Sequence, residues 1–195
     1  MRATAAIILA AGLSRRMGVP KLLLPVDGAP MLQRTLDSVS GFPFTRIVVV
    51  TIPSVAADIK TDAQVIFNPA PEAGQSGSLR LGILAAQPGE SLFFFTGDQP
   101  LLNRGILSAI LESDDGQSIV YPQGSDGTPR GPTLFAPCFR EELLALTGDT
   151  GGRYLRSRYP EACRPVQVSD AKYLMDVDTP EDYETALAIC KSGGY

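Results

Sequence analysis

Ala5-Ala6-Ile7-Ile8-Leu9-Ala10-Ala11-Gly12-Leu13-Ser14-Arg15-Arg16-Met17-Gly18-Val19-Pro20-Lys21 joins an unbroken apolar run to a loop of small and basic residues. The run Ala5 to Leu9 is continuous enough to be a strand buried on both faces, as strands of parallel sheets are. A loop leaving the carboxyl end of such a strand lies where open α/β sheets place their ligands. Both readings favour an α/β fold.

The rest of the chain agrees. A helix is expected from near Pro30, with Leu32, Leu36 and Val39 on one face and Gly41 at its end. Ile47 to Val50 reads as a second strand and Val65 to Phe67 as a weaker third. Asn68 to Gly77 reads as a loop, and Ser78 to Ala86 as the helix after it. Leu92-Phe93-Phe94-Phe95 is the strongest strand signal, stopped by Gly97-Asp98-Gln99-Pro100. A helix carrying Ile106, Leu107, Ile110 and Leu111 and a strand from Ile119 to Tyr121 follow. Residues 122–132 read as an exposed loop near the substrate. Thr133 to Phe135 and Val166 to Val168 are short strands flanking two helical pieces. Thr179-Pro180-Glu181-Asp182 opens the last helix with an N-cap, a proline at N1 and an acid at N3. With no repeat and no linker, a single domain over 1–195 is expected.

Composition narrows the function. The net charge of −4 has no basic stretch set against it, so nothing points to nucleic acid or to an anionic membrane. No run of about 18 apolar residues exists to span a bilayer. No signal peptide precedes the first strand, so the cytoplasm is the expected compartment. Cys138, Cys163 and Cys190 fit neither a disulfide framework nor a zinc site. The chain has no histidine, which removes the Ser-His and Cys-His nucleophile pairs. Carboxylates, lysine, arginine, hydroxyls and backbone N–H groups remain, and phosphate chemistry suits them.

Three places could carry that chemistry. In the first loop Ala10, Ala11 and Gly12 are small enough to let a ligand reach the backbone, whose N–H groups can bond a base or phosphate. Arg16 and Lys21, separated by Gly18 and Pro20, can fold onto one anion. The spacing is neither Walker A nor GxGxxG, and a solvated loop with surface cations is the plain alternative. Asp98 ends a buried strand and points into the same crevice, where a hard carboxylate suits Mg²⁺, although a turn or N-cap aspartate would look the same. In Met175-Asp176-Val177-Asp178-Thr179-Pro180-Glu181-Asp182, Asp182 suits the helix dipole. Asp176 or Asp178 could be a second carboxylate on the metal.

These residues resemble the MobA-like nucleotidyltransferases, most closely the molybdenum cofactor cytidylyltransferase branch. The resemblance rests on Leu9 to Lys21 with Leu22 to Pro25, then Asn68-Pro69, Gly74-Gln75-Ser76-Gly77-Ser78-Leu79, Gly97-Asp98-Gln99-Pro100, Gly148-Asp149-Thr150-Gly151 and Asp176 to Tyr183, in family order. It implies a Rossmann-like, mainly parallel sheet with helices on both faces, of the nucleotide-diphospho-sugar transferase kind. It implies that Leu9, Ala10, Ala11, Gly12 and Ser14 hold base and phosphates, and that Arg16 and Lys21 grip the triphosphate. Asn68 and the loop from Gly74 to Ser78, with Gly77 and Ser78 in it, would contact base or ribose, and Asp98 and Asp178 would be the Mg²⁺ ligands. The acceptor would lie near residues 128–135 and 149–156, with Arg153 and Arg156 as partners for its anionic groups.

Members with a purine preference tend to carry glycines where this chain has Ala10-Ala11, so the resemblance favours CTP. Relatives often carry Gly-His-Pro or Gly-Asn-Pro where this chain has Arg130-Gly131-Pro132, a departure on the acceptor side. The expected reaction is CMP transfer from CTP to a phosphorylated acceptor, molybdopterin, with a molybdoenzyme as a possible client. Transfer to a sugar phosphate, an NAD(P)H-dependent oxidoreductase and a non-catalytic cofactor-delivery module are the rivals.

Overall fold

The computed structural model describes residues 2–14 and 16–192. The chain begins with β1 (Thr4–Ala10), the short hairpin β2 (Pro25–Val26) and β3 (Ala29–Pro30), and α1 (Met31–Ser40). It continues through β4 (Arg46–Thr51), α2 (Pro53–Ala56), β5 (Gln64–Phe67), α3 (Gln75–Ala85), β6 (Ser91–Thr96) and α4 (Arg104–Glu112). The last third holds β7 (Ile119–Gly124), β8 (Thr133–Phe135), α5 (Arg140–Leu144), α6 (Arg153–Arg158), β9 (Cys163–Val168) and α7 (Pro180–Lys191).

Among the described residues seven strands form one sheet in the order β5-β4-β1-β6-β8-β7-β9. Every neighbouring pair is parallel except those made by β8, which runs antiparallel to both β6 and β7. The apolar runs are continuous because alternate residues enter two different cores. Ala6, Ile8 and Ala10 of β1, with Phe93 and Phe95 of β6, pack against Leu32, Leu36, Leu107 and Ile110 of α1 and α4. Ala5 and Ile7, with Leu92 and Phe94, pack against Leu79 and Ile83 of α3, Leu143 of α5 and Leu155 of α6. Helices therefore cover both faces, the layering of a Rossmann-like α/β domain. Gly82 lets α3 lie close to β1, because a Cβ there would run into Ile7 Cγ2. Gly82→Ala is expected to lower stability by about 1–2 kcal/mol, overpacking outweighing the gain in helix propensity, measurable as a lower midpoint in urea.

Several boundaries differ from the sequence reading, among them the start of β9 at Cys163 where Val166 was expected. The helix expected from Ser78 starts at Gln75, since Gly74 (φ 101°) turns the chain and Ser76 N–H donates to the Gly148 carbonyl. The segment expected to be a loop from residue 122 begins instead as the end of β7, where Pro122, Gln123 and Gly124 pair with β9.

Candidate active site

The sheet order fixes where the cleft lies. After β1 the chain builds outward through β4 and β5, then returns to place β6 on the other side of β1. That reversal opens a crevice beyond the carboxyl ends of β1 and β6, the usual ligand position in an open α/β sheet. A cleft of about 710 Å³ lies there, bounded by the first loop, residues 71–75, residues 96–98, Asp149 and Asp178.

The first loop is shaped by its own hydrogen bonds. Ser14 adopts a left-handed conformation (φ 50°), Met17 N–H donates to its carbonyl, and its hydroxyl accepts from Lys21 N–H at 3.2 Å. Lys21 then starts a short 3₁₀ turn, Lys21–Leu23. Arg15 lies outside the described residues. The fold brings the acidic segments to this loop by a zipper across sequence. Thr96 Oγ1 donates to Asp176 Oδ1 at 3.3 Å, Val177 N–H to the Asp98 carbonyl at 3.0 Å, and Gln99 Nε2 to the Leu174 carbonyl at 3.4 Å. Asp178 is held from the helix side, where its N–H donates to Asp182 Oδ2 at 3.0 Å. Thr179 N–H donates to the same oxygen, and Asp182 N–H donates back to Thr179 Oγ1, completing a capping box. Asp182, expected only to suit the helix dipole, also fixes the backbone of Asp178. Removing the box by Thr179→Ala is expected to cost about 1 kcal/mol, read from the denaturation midpoint.

Lys21 Nζ lies 2.6 Å from Asp98 Oδ2 and 2.8 Å from Asp178 Oδ1. Arg16 Nη2 reaches the same Asp178 oxygen at 2.9 Å, from a side chain that is 70% exposed. Burial alone would lower the Lys21 pKa, but the two carboxylates outweigh it and hold the ammonium above its ordinary value. Asp98 Oδ1 is buried and has no hydrogen-bond partner. Asp176 is exposed at its surface yet closely surrounded by protein. That partial burial, with repulsion from Asp98 and Asp178, raises its pKa to about 6. Among the described residues no group of three or more His, Cys, Asp and Glu forms a ready metal cage. Two carboxylates with one free buried oxygen fit instead a Mg²⁺-type ion that takes its other ligands from phosphate and water.

Leu9, Ala11, Gly12, Ser14, Arg16, Lys21, Ser78, Asp98 and Asp178 all line the cleft. Three other expected residues stand behind it. The Ala10 side chain is packed in the core beneath α1, 1% exposed. Asn68 is buried with both ends of its amide engaged, donating to Ser78 Oγ at 2.9 Å and accepting from Ala70 N–H. Gly77 lies in the first turn of α3 beside Asn68. Asn68 thus braces the cleft wall through Ser78. Arg156, expected near the acceptor, lies over the Tyr121 ring and donates to the Arg130 carbonyl and Thr133 Oγ1. Sequence reasoning assigned no cleft role to Thr96 or Glu72, and placed Asp149 with the acceptor, whereas all three line the cleft. The signal available for Asp149 was the glycine run around it: a Cβ on Gly74 would collide with Gly148, so the 148–149 turn must lie against the head of α3.

Comparison with known proteins gives the site a context. The profile of the MobA-like NTP transferase domain matches residues 6–163. The molybdenum cofactor cytidylyltransferase of Escherichia coli K12 is 28% identical, over 95% of this chain and 96% of its own length. The purine catabolism protein PucB of Bacillus subtilis 168 is 27% identical, over 91% and 93%. Among solved structures, Rv0371c from Mycobacterium tuberculosis H37Rv superposes with a TM-score of 0.84 at 28% identity, covering 96% of this chain and 98% of that one. Its complex with manganese matches at a TM-score of 0.79 and 26% identity, covering 95% and 99%.

Proposed function

Because this chain belongs to the MobA-like NTP transferase family, and so is a nucleotidyltransferase, we propose that it moves CMP from CTP onto a phosphorylated acceptor, molybdopterin, in the cytoplasm. The observation that carries the reading is the meeting of Lys21, Asp98, Asp178 and Arg16 at one cleft beyond the ends of β1 and β6.

The acceptor brings its own nucleophile, a phosphate oxygen ionised at neutral pH, so a chain without histidine needs no general base. That oxygen forms a bond to the α-phosphorus of CTP in line with the departing oxygen, whose bond breaks as pyrophosphate leaves. Asp98 and Asp178 would hold Mg²⁺, which when bound neutralises charge on the phosphates. Lys21 and Arg16 place positive charge against the phosphate oxygens, and the first loop offers backbone N–H groups from Ala11 and Gly12. Ser78, braced by Asn68, and Gln75 line the wall on which base and ribose would rest.

The base preference falls to Ala11, which lines the cleft, while Ala10 is packed in the core. One methyl group of shape discrimination is worth ~1–3 kcal/mol, so CTP should bind better than GTP and Ala11→Gly should narrow the gap. Equal dissociation constants for the two nucleotides by calorimetry with Mg²⁺ present would end the assignment.

Pyrophosphate release measured with all four NTPs and Mg²⁺, with and without molybdopterin, tests the whole reading. Release is expected with CTP only when molybdopterin is present. Release dependent on a sugar phosphate instead would transfer the activity to another acceptor. The similarity to PucB makes the acceptor the first thing to measure.

A further inference from the structure

The ammonium of Lys21 touches one oxygen of Asp98 and one of Asp178, at 2.6 and 2.8 Å. A single bivalent cation shared by these two carboxylates would have to lie between them, in the space that the ammonium bridges. We propose that Lys21 is the resident counter-ion of the carboxylate pair, competing with the metal, and that the triphosphate opens the pair by drawing the ammonium away. This inference rests on the reading of the cleft as a metal–nucleotide site.

Three observations support it. Lys21 and Arg16 already match the charges of Asp98 and Asp178, and Asp176 beside them adds at most one further negative charge. A dication arriving alone would leave the cluster with an excess of positive charge, whereas a triphosphate supplies negative charge to receive both side chains. The Lys21 backbone is fixed by Ser14 and by the 3₁₀ turn, so its flexible four-carbon stem is the part able to swing. Asp98 Oδ1 remains buried without a partner, so the lysine bridges the pair without satisfying it. Metal and nucleotide then favour each other's binding by the same factor, in addition to any direct chelation.

Mn²⁺ binding followed by electron paramagnetic resonance on the full chain tests this, without nucleotide and with an α,β-methylene analogue of CTP. If the competent arrangement is populated at ~10% or less, removing the competitor tightens apparent affinity at least about tenfold. Lys21→Met should therefore bind Mn²⁺ alone at least about tenfold more tightly than the unsubstituted protein, and adding Asp98→Asn should abolish the gain. A folded Lys21→Met protein with no gain overturns the proposal, while Mn²⁺ uptake with the analogue would leave the metal–nucleotide reading standing. No Mn²⁺ uptake by either protein beyond that of the free analogue overturns both.

Should Lys21→Met not fold, the unsubstituted protein answers through its four lysines labelled with ¹³C at Cε. Mg²⁺ alone at saturation should shift the Lys21 resonance. A Lys21 signal left unmoved while Mg²⁺ binds in an Asp98-dependent way shows lysine and metal coexisting, and overturns the proposal.

Discussion

Lys21→Ala is expected to lower kcat by on the order of 10²–10³ while the protein remains folded. The lysine is 11% exposed at its side chain, at the inner edge of the cleft, and has no acidic partner other than Asp98 and Asp178 among the described residues. In the proposed reaction its charge opposes charge developing on the phosphates, so the loss should appear in kcat and kcat/KM together. Its removal also leaves two carboxylates facing each other, so a lower melting temperature should accompany the loss. Circular dichroism separates the two effects. Turnover near that of the unsubstituted protein would make the first loop a surface loop.

Asp98→Asn and Asp178→Asn carry the other large effect. Each amide removes a charge from the pair proposed to hold the metal, so each should abolish Mg²⁺-dependent pyrophosphate release. The double variant should be little worse than either single one, because groups acting as a unit are not additive. Two carboxylates alone in a crevice would repel, and their loss would then be neutral or stabilising. The structure reverses that expectation, because Lys21 lies between them. Breaking a buried pair from one side usually costs 3–5 kcal/mol, and with Asp178 still in place Asp98→Asn should cost less, about 1–3 kcal/mol. Asp176→Asn serves as the control. It donates no charge to Lys21 at contact distance and is crowded by the other two acids, so its loss should spare the fold and cost far less activity. Unchanged Mg²⁺ dependence in Asp98→Asn would refute the metal assignment.

The layers of the fold were readable because burial on both faces leaves a direct mark: Ala5 to Leu9 and Leu92 to Phe95 contain no polar residue to turn outward. Loop positions at strand ends were readable for the same reason, and Lys21, Asp98 and Asp178 all reach the cleft. Side-chain direction was not. Ala10 and Ala11 are identical neighbours, yet Ala10, the last residue of β1, packs into the core, and Ala11, the first residue past the strand, lines the cleft. Asn68 precedes a proline in a loop, and sequence cannot tell an amide that binds a ligand from one that braces a wall. The meeting of Lys21 with residues 77 and 157 positions away depends on how three separate strand and helix ends converge, which no local pattern records.

The zipper between residues 96–99 and 174–178 also has a consequence for biosynthesis. As the chain leaves the ribosome, β1, the first loop, β4 and β6 can all emerge before Asp178 and the capping box that holds it. Loop closure over such a separation is entropically slow to reward, so docking of the last helix belongs to the end of folding. Until then Lys21 has Asp98 but lacks its second partner, and the cleft lacks one wall. A nascent chain stalled short of the last helix would therefore be an inactive intermediate with most of its sheet available, and competence would arrive in one step when α7 seats.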